Sequence, residues 1–416
     1  MSKAIIVGGG IVGLSSALYL KQSGWDVTVI DMTDMGNNCS YGNAGYICPS
    51  HFIPLATPGI VRQGIKWMWN SKSPFYVKPR LHGPLIDWGL KFMKAATPEK
   101  VEAAAIPLMD AGILSKKCYE DWRAIPDFNF FYEHKGLLEL FQTEEKAHHA
   151  EHTVHKAHEL GLKDTSMLSQ EEVRAMEPNI SPAVLGALIF RCDAHCYPND
   201  VMGNLLQYLP KIGVTMIPNQ AVTGFVKNGR KITGVRTSKD VYEADAVVLS
   251  AGSWSREIAS MTNLRIPLMP GRGYSLTLDG EKYKVNYPAI LMEARLAVTP
   301  MNGRTRFGGT MEITPTNTPP RMNRVEGIIE GVKKFYPSFN IPLPKPEDVW
   351  YGYRPCSADG LPYIGRATHL DNLVVATGHA MVGMSLGAGT GKLVSEILNG
   401  QPTSMDIRPF DPMRYN

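Results

Sequence analysis

Cysteine, long apolar runs and a strong charge bias are all missing from this sequence. Six cysteines occur among 416 residues, and their spacing matches no disulfide framework. We therefore expect a reducing compartment and no structural disulfides. No stretch approaches the roughly 18 apolar residues of a membrane-spanning helix. The formal net charge of +4 is too small to indicate a nucleic-acid partner.

Metal sites and targeting segments are not indicated either. A histidine-rich helix predicted over residues 143–160, and the group Cys192, His195 and Cys196, match no zinc-binding pattern, so we expect no metal. The first three residues run directly into a predicted strand and leave no room for a signal or transit peptide. These features are typical of a cytoplasmic protein.

One stretch, residues 57–94, combines basic and aromatic side chains. It holds seven lysines and arginines against the single acid Asp87, with three tryptophans among them. Two interpretations remain open at this point. The segment either packs its aromatic side chains inward and exposes its charges, or it contacts the anionic inner face of the cell membrane as a peripheral protein does.

The segment KAIIVGGGIVGLSSALYLKQSGWDVTVID, residues 3–31, has the pattern of a nucleotide-binding βαβ unit. It predicts a buried parallel strand at 4–7, a helix over 11–23 and a second strand at 26–30. Gly8, Gly10 and Gly13 lie between the first strand and the helix at GxGxxG spacing. Such glycines allow a tight turn, close approach of the backbone to a pyrophosphate and close packing of helix on strand. The helix N-terminus then faces the phosphates.

Asp31 follows the second strand directly. A carboxylate at this point of the unit accepts hydrogen bonds from both ribose hydroxyls and disfavours a 2′-phosphate. The unit therefore predicts a dinucleotide with a free 2′-hydroxyl, and it allows either NAD or FAD.

Later segments return to the same α/β pattern. Residues 246–250 form an apolar run that ends on Ala251 and Gly252, and residues 373–377 lead into a glycine-rich loop and a helix to about residue 398. Residues 265–315 alternate in strand fashion. We predict an α/β fold with a discontinuous Rossmann-like cofactor domain and an inserted antiparallel α+β substrate domain. The cofactor domain spans 1–85, 180–262 and 350–416, and the substrate domain spans 86–179 and 263–349.

Five motifs, taken in this order, resemble the D-amino-acid oxidase superfamily of FAD-dependent oxidoreductases. They are VGGGIVGLSSALYL with Asp31, SYGNAGYICPS, VVLSAGSWS, GYRPCSADGLPYIG and ATGHAMVGMSLGAGTG. The resemblance is nearest to the branch of D-amino-acid and hydroxyproline dehydrogenases. It implies that the cofactor domain is an FAD-binding domain.

The resemblance also implies which residues contact FAD. They are Gly8, Gly10, Ile11, Val12, Gly13, Asp31, Met32, Ser40, Asn43, Ala44, Gly45, Val222, Ala251, Gly252, His379, Met381, Val382, Gly383, Met384 and Ser385. The sarcosine-oxidase branch attaches its flavin through a cysteine in the segment before the DG-like turn. Here Tyr351, Gly352 and Tyr353 precede Arg354 and Cys356 follows it, so we expect non-covalent FAD.

Arg354 resembles the arginine that binds the substrate carboxylate in this family. A guanidinium binds a carboxylate bidentately and so orients it. From residue type alone, Arg354 is equally a candidate for a structural ion pair. Arg272, Tyr274 and Arg295, in the predicted antiparallel region, are further candidates for the substrate site.

The resemblance implies oxidation of an amino or imino acid, a D-amino acid or a proline-like ring, by hydride transfer from Cα to flavin N5. A quinone or another non-oxygen acceptor then takes the electrons. Two alternatives remain, a glycine- or sarcosine-type oxidase that uses oxygen and an NAD-dependent dehydrogenase. The substrate's configuration and the oligomeric state are left open.

Overall fold

Two large sheets organise the fold, which this computed structural model describes over residues 1–59, 75–78 and 80–416. Within the basic, aromatic stretch, residues 60–74 and 79, which include Trp67 and Trp69, lie outside the described residues. The α-helices are Ile11–Gln22, Gly83–Ala95, Pro98–Trp122, Glu144–Glu159, Gln170–Met176, Pro198–Lys211, Ser255–Ser260, Met322–Phe335 and Gly383–Leu398. Short 3₁₀ helices occur at Gly252–Trp254, Pro346–Asp348, Ala380–Val382 and Arg408–Phe410.

The first sheet has six strands and is parallel except at one edge. Its order is Thr215–Ile217, Asp26–Ile30, Lys3–Val7, Ala246–Leu249, Leu373–Thr377 and the antiparallel Tyr363–Arg366. The three segments that compose it come from the start, the middle and the end of the chain. The strands are almost fully apolar because both faces are covered by packed side chains. We refer to it as the parallel sheet.

The second sheet has nine strands, which are mainly antiparallel. Its order is Trp350–Ser357, Leu268–Asp279, Arg304–Ile313, Leu296–Met301, Ala289–Leu291, Leu137–Phe141, Gly186–Phe190 and Thr165–Ser169, and Phe75–Val77 pairs with Arg304–Ile313 in parallel. We refer to it as the mixed sheet. Smaller sheets join Val222–Asn228, Lys231–Thr237 and Val241–Glu243, and Tyr46–Ile47, Ala194–Cys196 and Tyr132–Glu133. The predicted α/β class is confirmed.

Three strands of the mixed sheet lie inside the ranges predicted for the cofactor domain. They are Phe75–Val77, Gly186–Phe190 and Trp350–Ser357. The reason is their pairing, since Trp350–Ser357 runs antiparallel to Leu268–Ser275 over eight residues. Strand partners this far apart in the sequence cannot be recognised from a local pattern. The exact domain bounds remain a prediction.

All glycines of the closing motif except Gly378 lie in a helix rather than in the predicted loop. The helix Gly383–Leu398 begins at the first of them. A Cβ atom at Gly387 would lie 2.7 Å from the Ile11 side chain, and one at Gly391 would lie 2.5 Å from the Ser15 backbone. These glycines therefore let the first and last helices pack closely, which brings the two ends of the chain to one site.

Candidate functional site

The glycine turn after the first strand has the form that a bound pyrophosphate requires. Gly8 adopts φ +112°, and a Cβ there would lie 2.6 Å from the Ser250 carbonyl oxygen. A Cβ at Gly13 would lie 1.9 Å from the Gly8 carbonyl oxygen, so only glycine lets helix and strand approach this closely. Gly10 is the N-cap of the helix and offers no side-chain cap. The next amide, Ile11 N–H, donates to Ser40 Oγ at 3.1 Å.

Asp31 is held in position beside this turn. Its Oδ2 accepts from the Gly9 N–H at 2.7 Å, and its Oδ1 accepts from the N–H and the hydroxyl of Thr33, both at 2.7 Å. Asp31 and Met32 both line the adjoining cavity. Carboxylate oxygens accept more than one hydrogen bond each, so the side chain retains capacity for a ligand's hydroxyls.

A cavity of about 1140 Å³ extends from the glycine turn to the mixed sheet. This volume exceeds the roughly 300–1,000 Å³ of a usual small-molecule pocket, so a dinucleotide and a second, small ligand fit together. The cavity wall contains these predicted residues: Gly8, Gly10, Ile11, Val12, Asp31, Met32, Ser40, Asn43, Ala44, Val222, Ala251, Gly252, Tyr274, Arg295, Arg354, His379, Met381, Val382, Gly383, Met384 and Ser385.

Three predicted residues lie outside the cavity wall. Gly13 packs on Gly8, as described above. Gly45 adopts φ +76°, and a Cβ there would lie 2.2 Å from the Cys196 carbonyl oxygen, so it permits a close backbone crossing. Arg272 is fully buried in an ion pair. Their roles in this structure concern packing and charge balance.

The two loops predicted to lie beside the flavin are joined by hydrogen bonds. Asn43 Nδ2 donates to the Met381 carbonyl oxygen at 3.3 Å, and the Cys48 N–H donates to Ser385 Oγ at 2.8 Å. The segment from Ser40 and the segment from His379 thus form one wall. His379 is buried with its Nε2 3.0 Å from Thr390 Oγ1, and burial lowers its pKa to about 3, so the imidazole is neutral near pH 7.

Arg354 is enclosed in the cavity wall without a carboxylate partner among the described residues. Its guanidinium lies over Gly273, where a Cβ would be 2.3 Å from Cζ, and it donates to the Thr310 carbonyl oxygen. Thr310 has a φ of 61°, which is unusual for a β-branched residue. Burial lowers the pKa of Arg354, and no Asp or Glu of the described residues counters that shift. An enclosed cation of this kind favours an anionic ligand.

Arg272 and Tyr274 belong to a separate network around Glu312. The Glu312 carboxylate accepts from Arg272 Nε and from the Tyr274 hydroxyl, both at 2.9 Å. Arg321 and Arg324 lie 3.6 and 3.5 Å from its other oxygen. We call these five residues the Glu312 cluster. The Tyr274 ring lines the cavity, but its O–H donates to Glu312 and therefore not to a ligand.

Several residues of the cavity wall were not predicted from the sequence. Arg295 was predicted, and it is an exposed residue of the wall. Tyr46, His51 and Glu139 also line the cavity and were not named. For Tyr46 and His51 a signal was present, since both lie in or directly after the motif SYGNAGYICPS. For Glu139 the signal was an acid in the middle of the apolar strand GLLELF. No group of three or more metal-ligating side chains is found in the described ranges.

No helix in the described part of the chain has the length and apolar character needed to cross a bilayer.

Known proteins resemble this chain in sequence and in structure. The DAO family, described as FAD dependent oxidoreductase, matches residues 3–397. The D-amino acid dehydrogenase of Vibrio atlanticus is 28% identical, over 99% of this chain and 100% of that protein. Glycine oxidase from Geobacillus kaustophilus has a TM-score of 0.77 at 21% identity, with all of both chains covered. L-proline dehydrogenase from P. horikoshii has a TM-score of 0.77 at 19% identity, over 100% of this chain and 97% of that one. At these identities the two structures show a common fold.

Proposed function

This chain belongs to the DAO family of FAD-dependent oxidoreductases, and from that premise we propose that it is a dehydrogenase of α-amino or α-imino acids. The observation that carries the proposal is Arg354, a cation enclosed in the cavity wall with no described acid beside it. An α-carboxylate is the anion that such a substrate brings. The similarity to a D-amino acid dehydrogenase supports the same substrate class.

The residues of the wall fit FAD. The glycine turn and the start of the first helix suit the pyrophosphate, and Asp31 suits a ribose. Bound FAD supplies the acceptor for the hydride that leaves Cα. We propose that attachment is non-covalent, because Cys356 is fully buried with its thiol near Met311, while burial raises the pKa of Cys39 in the wall. Acid precipitation tests this: the yellow colour should stay in the supernatant, and colour retained on the polypeptide would contradict it.

Arg354 performs the main task of the protein in this reaction, which is orientation. Two parallel N–H donors fix both oxygens of the carboxylate, so that Cα has one orientation in the cavity. The carbonyl of Thr310 and the surface of Gly273 hold the guanidinium in place. We assign no general base, since the substrate amine can lose its proton on binding. His51 and His379 are neutral, with pKa values lowered by burial to about 4 and 3.

Substitution of Arg354 tests the substrate site. Arg354→Met should lower kcat/KM for the preferred amino acid by about 100-fold or more, mainly through KM, because two charge-assisted hydrogen bonds are lost. Arg354→Lys should recover only part of the loss, since a lysine binds as a point charge. The matched control is Arg265→Met, at an exposed arginine outside the cavity. FAD content should be equal in all variants, and an unchanged KM in Arg354→Met would contradict the proposal.

We further propose that the electrons leave at an anionic membrane, to a quinone. On the helix Gly83–Ala95, Ile86, Leu90 and Met93 are exposed at i, i+4 and i+7, and Lys94 lies beside them. The opposite face is buried, and its Phe92 lines the cavity. An exposed apolar stripe with adjacent cations suits the surface of anionic lipid.

Sedimentation with anionic liposomes at low salt tests the membrane contact. The FAD-loaded protein should bind, and Leu90→Glu should weaken binding. Leu343→Glu is the control, because Leu343 is 50% exposed and Leu90 is 52% exposed. Equal binding of the two variants would contradict the contact. A quinone analogue reduced without peroxide formation separates this function from that of an oxygen-using oxidase.

A further inference from the structure

Glu139 is an acid in the cavity wall that no cation of the described residues neutralises. It lies in the strand Leu137–Phe141, between the fully buried Leu138 and Leu140. No hydrogen bond or ion pair joins its carboxylate to another described residue. Burial raises its pKa to about 7, and the only other contribution comes from the like charge of Asp193. Both oxygens of Asp193 already accept hydrogen bonds. The Ser50 N–H donates to Oδ1 at 3.1 Å, and the Ser50 hydroxyl donates to Oδ2.

An acid in this position weakens the fold rather than supporting it. A carboxylate removed from water without a partner costs free energy, and a neutral side chain at the same point would avoid that cost. The next two strands of the mixed sheet place the apolar side chains of Ile290 and Ala297 in the cavity wall. A ligand with a positive charge would offset this free-energy cost, so the position of Glu139 favours the binding of a cation.

Glu139 and Arg354 face the same cavity from two distant points of the mixed sheet. Glu139 pairs with Ile290, Ile290 with Ala297, and Ala297 with Gly308, so four neighbouring strands contribute one row to the cavity wall. Gly308 lies two residues before Thr310, whose carbonyl accepts from Arg354. Three steps of strand spacing separate the backbone of Glu139 from this strand, about 14 Å.

Three basic residues line the same part of the cavity, and none neutralises Glu139. The Lys146 ammonium lies 3.5 Å from Glu145. Burial, and then the charge of Lys146, lower the pKa of His149, so its imidazole is neutral. Arg295 is exposed and has no effect on the pKa of Glu139. The carboxylate thus remains available to a ligand.

We propose that Glu139 binds the cationic end of a basic amino-acid substrate whose α-carboxylate is bound by Arg354. The inference rests on the proposed function and adds the side-chain class to it. Hydrogen bonds of about 2.9 Å at each end occupy part of the separation. The remaining length suits an extended chain of several methylenes, as in ornithine, lysine or arginine. Binding of the cation also restores the charged form of Glu139.

Paired substrates test this proposal. For the FAD-loaded wild type, kcat/KM should be about 10- to 100-fold higher for lysine than for norleucine, and likewise higher for arginine than for citrulline, in the configuration that the enzyme accepts. Glu139→Gln should remove that preference. Glu281→Gln, at an exposed turn, is the matched control and should keep the wild-type ratio.

A binding measurement supplies a readout independent of turnover. Lysine that lacks the α-amino group, 6-aminohexanoate, carries both end charges but no amine at Cα, so it should perturb the flavin absorbance of the wild type. Its Kd should rise about 10-fold or more in Glu139→Gln. Equal kcat/KM for lysine and norleucine in both proteins, with an unchanged Kd, would overturn the role of Glu139 while the proposed function stands. Failure of every amino acid to reduce the flavin would overturn both proposals.

Discussion

Two groups of ionisable side chains on the mixed sheet differ in what surrounds their charge. In the Glu312 cluster, one buried carboxylate lies within 4 Å of Arg272, Arg321 and Arg324. In the cavity wall, Arg354 has no described acid beside it and Glu139 has no described cation. Burial of a charge is common to both groups. The absence of a described partner of opposite charge, rather than burial, therefore separates the two proposed binding residues from the structural residues of the Glu312 cluster.

The largest expected effect of this difference is on the stability of the Glu312 cluster. Glu312→Gln should lower the free energy of unfolding by about 3–5 kcal/mol, because the buried Arg272 then loses its carboxylate partner. Urea unfolding of the FAD-loaded protein measures it. Glu281→Gln should change the value by less than about 0.5 kcal/mol. A similar small change for Glu312→Gln would remove the distinction between the two groups.

A smaller effect on stability is expected in the cavity wall. Arg354→Met should change the free energy of unfolding by less than about 1 kcal/mol, because it removes an enclosed cation that has no acid partner in the described part of the chain and keeps much of the side-chain volume. The same urea titration without substrate measures it. Destabilisation as large as that of Glu312→Gln would show that Arg354 is a structural residue.

A further expected effect is a dependence of stability on pH. The pKa of Glu139 is about 7 in the folded protein against 4.5 as its ordinary value, so the folded state retains a proton that the unfolded state releases between these values. Stability is therefore lost as the pH rises through this window. Glu139→Gln should remove that loss and be about 1–2 kcal/mol more stable relative to wild type at pH 8 than at pH 5, a discounted value because the cavity admits solvent. An equal difference at both pH values would contradict the isolation of Glu139.

The nucleotide-binding unit was readable from the sequence because its signals are local. The first strand, the glycines, the helix and Asp31 follow one another within 31 residues, and the helix Ile11–Gln22 ends one residue from the predicted position. The closing strand Leu373–Thr377 has the predicted bounds for the same reason, since an apolar run is enclosed by polar residues.

The ion-pair partners of the charged residues could not be predicted from such local patterns. Arg272 lies opposite Glu312, 40 residues later, in the antiparallel register of two strands, whereas Arg354 lies opposite Gly271. Both residues are arginines, and both were candidates for the substrate site. Only the strand register decides which of them receives a carboxylate, and register across such distances depends on the assembled sheet.

The central claim is that Arg354 binds the carboxylate of an amino-acid substrate, and rapid anaerobic mixing tests it most directly. Wild-type protein loaded with FAD should lose its yellow absorbance when mixed with an excess of the preferred amino acid. Arg354→Met with equal FAD content should be reduced about 100-fold more slowly at the same low concentration, and the corresponding amine without a carboxylate should not distinguish the two proteins. Equal rates of reduction by the amino acid in both proteins would contradict the claim.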